Sequence, residues 1–231
     1  DKDNIVAFRV TNKDYSYTAD DIINYFQDKD ISNLILINPD NPSGNYIYKA
    51  DVLRIVAWAE TKNITFIVDE SFVDFSTESD ATLLNEEVLE EYPNLIVIKS
   101  ISKSFGVPGL RLGILAAGNK ELIAFIKKDV AIWNINSFGE FYMQIFEKYK
   151  SDYEDAMTKF KIVREEYIQA LKTIRNLRVI PSQANYVMCE VLGDCTAKEL
   201  TEILLDKYSL FIKDLSSKDG IDGEYIRLAV K

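Results

Sequence analysis

The sequence contains no histidine. This absence excludes Ser-His-Asp and Cys-His nucleophilic catalysis, and it removes the residue that most often binds metals, so we predict no metal site. Proton transfer near neutral pH must then depend on a Lys, Asp, Glu, Tyr or Cys side chain whose pKa is shifted by its surroundings. A lysine that forms a Schiff base is one way to carry out such chemistry.

Cysteine, positive charge and long apolar runs are also scarce. Cys189 and Cys195 are too few for a disulfide scaffold and lack the spacing of a zinc site, so we expect free thiols. The formal net charge of −10 argues against nucleic acids and anionic membranes as partners. There is no apolar run of about eighteen residues and no signal peptide, which predicts a cytoplasmic protein.

The first half of the sequence alternates between strand-like and helix-like segments. Short apolar runs rich in β-branched residues predict buried strands at 34–37, 65–68 and 95–98. Further elements are predicted as strands at 5–8 and 111–116 and as helices starting near residue 18, at 50–62 and at 85–91. This alternation indicates an α/β fold with a mainly parallel sheet flanked by helices.

The second half has a different organisation. Residues 120–175 are charged and mostly helical in pattern, with a break near 133–136. Short strands are then predicted at 178–180, 185–189, 210–213 and 225–229, with one helix at 197–208. We therefore predict a large domain with its linker helix over residues 1–148 and a small α+β domain over residues 149–231.

Polar motifs follow three of the predicted strands. Asn41 lies in the turn after the first of them, Asp69 ends the second, and Lys103 follows the third. Because the carboxyl ends of parallel strands meet at one edge of a sheet, we expect these three side chains to converge there.

The stretch from Ser100 to Gly113 is the most specific of the three motifs. Small residues let the chain bend and approach a bound group closely around Lys103. The hydroxyls of Ser100 and Ser102 and the guanidinium of Arg111 are suited to binding a phosphate.

These motifs resemble those of fold-type I pyridoxal-phosphate enzymes of the class I/II aminotransferase group. Residues 100–113 match S-x-S-K-x-x-G-x-x-G-x-R-x-G at every fixed position, residues 38–44 resemble N-P-x-N-P-T-G, and residues 68–75 resemble the D-E-A-Y segment. The resemblance implies pyridoxal 5′-phosphate, bound to Lys103 as a Schiff base, with Asn41 at its phenolic oxygen and Asp69 at its ring nitrogen. The implied cofactor-binding residues are Asn41, Asp69, Ser100, Ser102, Lys103 and Arg111.

The second domain resembles histidinol-phosphate aminotransferases and, more closely, threonine-phosphate decarboxylases. The similar segments are 133–137, 183–186, 212–216 and 225–230. Arg227 matches the arginine that binds the substrate's α-carboxylate, a role suited to its planar fork, and Asn185 is a weaker substrate-binding candidate. Lys213 stands where relatives commonly have an arginine, which leaves open its contact with a substrate phosphate.

The resemblance implies an aminotransferase for an amino acid or amino-acid phosphate, with Lys103 moving the α-proton. Phe72 replaces a tyrosine of most relatives, which keeps open a decarboxylase of phosphothreonine or phosphoserine. A non-catalytic domain that retains the fold is a third possibility. Relatives are homodimers, so we expect a homodimer here.

The sequence begins at Asp1 rather than Met, and the family carries a further segment before the matching region. We expect residues 1–231 to be a fragment that is inactive by itself, binds the cofactor poorly and tends to self-associate through an open sheet edge.

Overall fold

The computed structural model describes residues 4–230. Within them, two four-stranded sheets lie in successive halves of the chain. The first half contains α1 (Ala19–Phe26), β1 (Asn33–Ile37), α2 (Lys49–Thr61), β2 (Thr65–Asp69), α3 (Glu86–Glu91), β3 (Leu95–Ser100) and β4 (Gly113–Ala117). The second half contains α4 (Lys120–Asp129), α5 (Ser137–Phe146), α6 (Lys150–Lys172), β5 (Leu177–Val179), β6 (Tyr186–Val191), α7 (Ala197–Tyr208), β7 (Lys213–Asp214) and β8 (Tyr225–Ala229).

The first sheet has the order β1-β2-β3-β4. The first three strands are parallel, and β4 pairs with β3 in the antiparallel direction. With helices on the sheet and a second, antiparallel sheet after it, the predicted fold class is confirmed. The strand predicted from residue 111 begins at Gly113 instead, because Arg111 has a left-handed backbone (φ 57°) that prolongs the preceding turn.

Alternating burial explains why the first sheet forms. Leu34 and Leu36 of β1 face the core, where they join Val52, Ile55 and Val56 of α2. The other side of β1 leaves Ile35 exposed over 67% of its surface. Because side chains alternate along a strand, one side of the sheet is packed while apolar residues remain on the other.

The strand predicted at residues 5–8 is wrong. These residues have no strand partner among the described residues, and Ile5 is 72% exposed. Phe8 packs against Tyr17 and Tyr25, with ring centroids 5.7 and 5.1 Å away. Apolar composition by itself does not make a strand, because a strand also needs a neighbour for its backbone hydrogen bonds.

The second sheet is antiparallel throughout, in the order β5-β6-β8-β7. The strand predicted at 210–213 is reduced to Lys213–Asp214. Ser209 ends α7 in the left-handed conformation, and Phe211 is exposed, so the chain reaches β8 only at Lys213. The domain division at residues 148 and 149 stays a prediction. Among the described helices, none combines the length and apolar character needed to cross a membrane.

Candidate active site

The carboxyl ends of β1, β2 and β3 lie side by side. Asp69 pairs in register with Ile37 on one side and Ile98 on the other. The amide of Asn38 donates to the carbonyl oxygen of Asp69 at 3.0 Å, and the amide of Glu70 donates to the carbonyl oxygen of Ile98 at 2.8 Å. These bonds place the turn that contains Asn41 and the segment that leads to Lys103 on either side of Asp69.

Hydrogen bonds through Ser71, Ser100 and Ser102 connect Asp69 to the lysine turn. Asp69 Oδ1 accepts hydrogen bonds from the hydroxyl of Ser71 and, at 2.9 Å, from its amide. The amide of Ser100 donates to Ser71 Oγ at 3.0 Å, and the hydroxyls of Ser100 and Ser102 lie 2.9 Å apart. The second carboxylate oxygen of Asp69 has no partner within residues 4–230 and is available to another group.

Lys103 follows in a series of turns. Its side chain is exposed and forms no ion pair with any described residue. Arg111 is not hydrogen-bonded to Ser100 or Ser102; its guanidinium donates instead to the carbonyl oxygen of Pro108 at 3.3 Å. Of the three residues predicted to bind a phosphate, Ser100 and Ser102 therefore lie together, whereas Arg111 contacts the backbone of its own turn.

A direct bond joins the substrate-side and cofactor-side candidates. Arg227 Nη1 donates to Asn41 Oδ1 at 2.6 Å. The same guanidinium lies over the ring of Tyr186, 4.9 Å from its centroid. Because the oxygen of the Asn41 amide is engaged, its NH₂ group is left to donate elsewhere.

Tyr186 was not predicted as a site residue, yet it organises this junction. Its hydroxyl donates to the carbonyl oxygen of Asp40 at 2.7 Å, and its ring meets Phe72 edge-on at 5.1 Å. Burial raises the pKa of Tyr186, so the phenol stays neutral. Asn185 precedes it, and the carbonyl oxygen of Asn185 accepts from the amide of Val230 at 2.9 Å.

Two acidic residues near the end of β2, Glu70 and Asp74, have structural contacts. Glu70 is 2% exposed and accepts from the hydroxyl of Thr82 and, at 2.6 Å, from the amide of Leu83. Burial raises the pKa of Glu70, although these two hydrogen bonds oppose the shift. Asp74 forms a largely buried ion pair with Lys99 at 2.6 Å.

Arg164 of α6 is a further residue that sequence reasoning missed. It is 3% exposed and donates to the carbonyl oxygens of Phe75 at 2.6 Å and Ala184 at 3.2 Å. It also donates to Gln183 Oε1 at 3.2 Å, which in turn accepts from the amide of Thr77 at 2.8 Å. An arginine among Glu and Lys on a long helix carries no sequence signal of burial, because such residues normally face water.

The contacts of Arg164 connect the two halves of the site. Phe75 lies six residues after Asp69 in the loop that follows β2, and Ala184 precedes Asn185 and β6. The amide of Gln183 also donates to the carbonyl oxygen of Gly44, at the end of the turn that contains Asn41, at 3.0 Å. These hydrogen bonds connect the loop after Asp69 and the turn of Asn41 to the second half of the chain.

Comparison with known proteins gives a consistent assignment. The family model described as aminotransferase class I and II matches residues 4–230. The L-serine phosphate decarboxylase of Sulfurospirillum multivorans is 33% identical over an alignment of 239 residues. The match covers 97% of this chain and 58% of that protein.

Two solved structures are also similar. The histidinol-phosphate aminotransferase from Clostridium acetobutylicum matches with a TM-score of 0.86 at 30% identity, covering 97% of this chain and 66% of that one. The L-threonine-O-3-phosphate decarboxylase from Porphyromonas gingivalis matches with a TM-score of 0.77 at 25% identity, covering 89% and 62%.

The chain spans 58% of the length of the curated relative from Sulfurospirillum multivorans. The family model, in contrast, covers nearly all of this chain. Since that match includes both sheets and every candidate site residue, the chain belongs to the aminotransferase class I and II family.

Proposed function

We propose that this chain carries the lysine-bearing part of a pyridoxal-phosphate enzyme that acts at the α-carbon of an amino-acid phosphate. The observation that carries the proposal is the series of hydrogen bonds from Asp69 through Ser71 and Ser100 to Ser102. It ends beside Lys103, which is exposed and forms no ion pair with a described residue. The donor set fits the cofactor: a carboxylate for a cationic ring nitrogen, hydroxyls for a phosphate and a free amine for the aldehyde.

When bound, pyridoxal phosphate supplies a ring that withdraws electrons from the α-carbon of an amino acid. Asp69 would hold the ring nitrogen in its protonated state through the carboxylate oxygen that lacks a partner within residues 4–230. Asn41 would donate its free NH₂ group to the phenolic oxygen, and Ser100 and Ser102 would donate to the phosphate. Lys103 would provide the amine that attaches the cofactor and then moves a proton at the α-carbon.

Arg227 is suited to hold the substrate's α-carboxylate. One of its terminal nitrogens is held by Asn41, and its remaining N–H groups can form the paired hydrogen bonds that a carboxylate accepts. The ring of Tyr186 beneath the guanidinium restricts its orientation. The substrate's carboxylate would thus be oriented relative to Asn41.

Lys213 supports a substrate with a second anionic group. It pairs directly with Arg227 across β7 and β8, so the two side chains emerge on the same side of the sheet. The Lys213 side chain is exposed and forms no ion pair with a described residue. Two neighbouring cations, one for a carboxylate and one for a phosphate, match an amino-acid phosphate.

Decarboxylation is the reaction that we favour. The 33% identity to an L-serine phosphate decarboxylase favours it, as does Phe72, whose ring packs on Tyr186 and offers no hydroxyl to the cofactor side. Transamination is the second candidate, because the histidinol-phosphate aminotransferase structure matches with a TM-score of 0.86. Both reactions use the same residues of this chain up to the point where the bond at the α-carbon breaks.

Incubation of the natural protein with L-phosphoserine distinguishes the two reactions. We expect carbon dioxide and ethanolamine phosphate in equal amounts without any 2-oxo acid, with the solvent supplying the proton that replaces the carboxylate. Strict dependence on a 2-oxo acid acceptor would establish transamination. Borohydride reduction followed by peptide mapping tests the site itself: label on a peptide that lacks Lys103 would disprove the assignment.

A further inference from the structure

Three buried side-chain oxygens lie near one another beside the turn that carries Lys103. They belong to Asp74, in the short 3-10 helix after β2, to Ser104, next to Lys103, and to Tyr153, near the start of α6. None of the three atoms, Asp74 Oδ2, Ser104 Oγ and Tyr153 OH, has a hydrogen-bond partner within residues 4–230. Ser104 and Asp74 both lie close enough to the Tyr153 hydroxyl to influence its ionisation, and burial raises the pKa of Tyr153.

The ring of Tyr153 holds the same turn. It stacks on Phe105, two residues after Lys103, with centroids 4.5 Å apart and ring planes 15° from parallel. Phe146 packs against Phe105 at 5.0 Å, next to this stacked pair. The aromatic contacts therefore hold one side of Lys103, while the hydroxyl pair of Ser100 and Ser102 holds the other.

An ion pair near Tyr153 connects the loop after β2 to the end of β3. Asp74 pairs with Lys99, whose side chain is 8% exposed and which immediately precedes Ser100. Lys161 lies close enough to Asp74, and Glu70 close enough to both members of the ion pair, for their charges to interact. Tyr153 thus lies where the loop after Asp69, the strand that leads to Ser100 and the turn of Lys103 come together.

The lysine turn needs support from neighbouring side chains because it is not part of a helix or a strand. Residues 101–106 form consecutive turns rather than a helix or a strand, and the Lys103 side chain is exposed. Catalytic groups on loops depend on neighbouring packed side chains to keep a productive geometry. Among the aromatic contacts, the Phe105–Tyr153 stack has the smallest angle between ring planes in this cluster.

We propose that Tyr153 is a positioning residue for Lys103, which it holds in place by stacking on Phe105 and by filling the polar space between Ser104 and Asp74. The inference rests on the proposed role of Lys103. Tyr153 belongs to α6, the helix that also carries Arg164.

Three variants of the natural protein test the proposal. Tyr153→Leu removes the ring, Tyr153→Phe removes only the hydroxyl, and Tyr149→Phe is the matched control on an exposed tyrosine four residues earlier. Amide hydrogen exchange over residues 101–106 is measured without cofactor, so the result does not depend on activity. We expect exchange at residues 101–106 to accelerate by about three- to tenfold in Tyr153→Leu, because the stabilising free energy of an aromatic pair corresponds to a factor of that size in an equilibrium constant.

Exchange in the rest of α6 and in β6 should stay unchanged in Tyr153→Leu, and Tyr153→Phe should restore most of the protection because it keeps the stack. With substrate, Tyr153→Leu should lower kcat by about ten- to a hundredfold and leave KM nearly unchanged, because misplaced catalytic groups lose rate rather than binding.

Acceleration spread evenly over α6 and the second sheet would refute the positioning role, as would unchanged exchange at 101–106. If borohydride instead labels a lysine other than Lys103, the proposed function fails while the exchange result still decides whether Tyr153 holds this turn.

Discussion

Replacement of Arg164 by Met should strongly destabilise the protein, although the position looks like the outer surface of a helix. The substitution keeps a long side chain but removes the donors for the carbonyl oxygens of Phe75 and Ala184 and for Gln183 Oε1. A hydrogen bond to a charged group contributes about 1.5–3 kcal/mol, and a buried acceptor left unsatisfied costs a comparable amount.

The net loss is smaller than the sum of the three bonds. Burial lowers the pKa of the Arg164 guanidinium, which reflects the cost of taking the charge out of water, and the neutral Met does not incur that cost. We therefore expect the free energy of unfolding to fall by about 3 kcal/mol. For a chain of this size, that corresponds to a decrease in Tm of about 6–12 °C.

Urea denaturation followed by circular dichroism measures this change, with Arg175→Met as the matched control. Arg175 follows α6, is exposed and makes no side-chain hydrogen bond to a described residue, so its loss should change the free energy of unfolding by less than about 0.5 kcal/mol. Equal effects of the two substitutions would show that the hydrogen bonds of Arg164 do not hold the halves of the site together.

Three further predictions follow from single contacts. Gly44→Ala should lower the free energy of unfolding by about 1–3 kcal/mol more than Gly193→Ala. Both glycines have positive φ, but only at Gly44 would the added Cβ clash, because it would lie 2.0 Å from Ser182 Oγ. Equal losses in urea denaturation would contradict this prediction. Burial raises the pKa of Glu70, so the folded state holds the proton more tightly than the unfolded state does. The contribution of this group to stability should therefore fall as pH rises above 4.5, the ordinary pKa of the carboxyl. Glu70→Gln should reduce that pH dependence in urea denaturation curves taken at a series of pH values, and an unchanged pH profile would refute the prediction. Lys103→Ala should abolish the borohydride-reducible link to pyridoxal phosphate in the natural protein. The control variant Lys120→Ala, at the start of α4, should keep that link. Loss of the link in both variants would show that the effect is not specific to Lys103.

Several features of this protein are determined by local sequence. The apolar runs at 34–37, 65–68 and 95–98 form the three parallel strands, because β-branched residues flanked by turn residues have few other ways to be buried. Thr18 and Asp21 form the capping box that starts α1, since both partners lie within one helical turn. The order of strands and polar turns was also enough to place Asp69 and the turn of Asn41 at one sheet edge, because parallel strands end together.

Other features were decided only by tertiary structure. Residues 5–8 are apolar yet form no strand, because strand formation depends on a neighbouring backbone that no local pattern specifies. The bond from Arg164 to Phe75, the bond from Arg227 to Asn41 and the stack of Tyr153 on Phe105 join residues at least 48 positions apart. Such contacts arise when the two halves of the chain pack together. Local sequence therefore specifies which groups the site contains, and the packing of the second half onto the first decides how those groups are held.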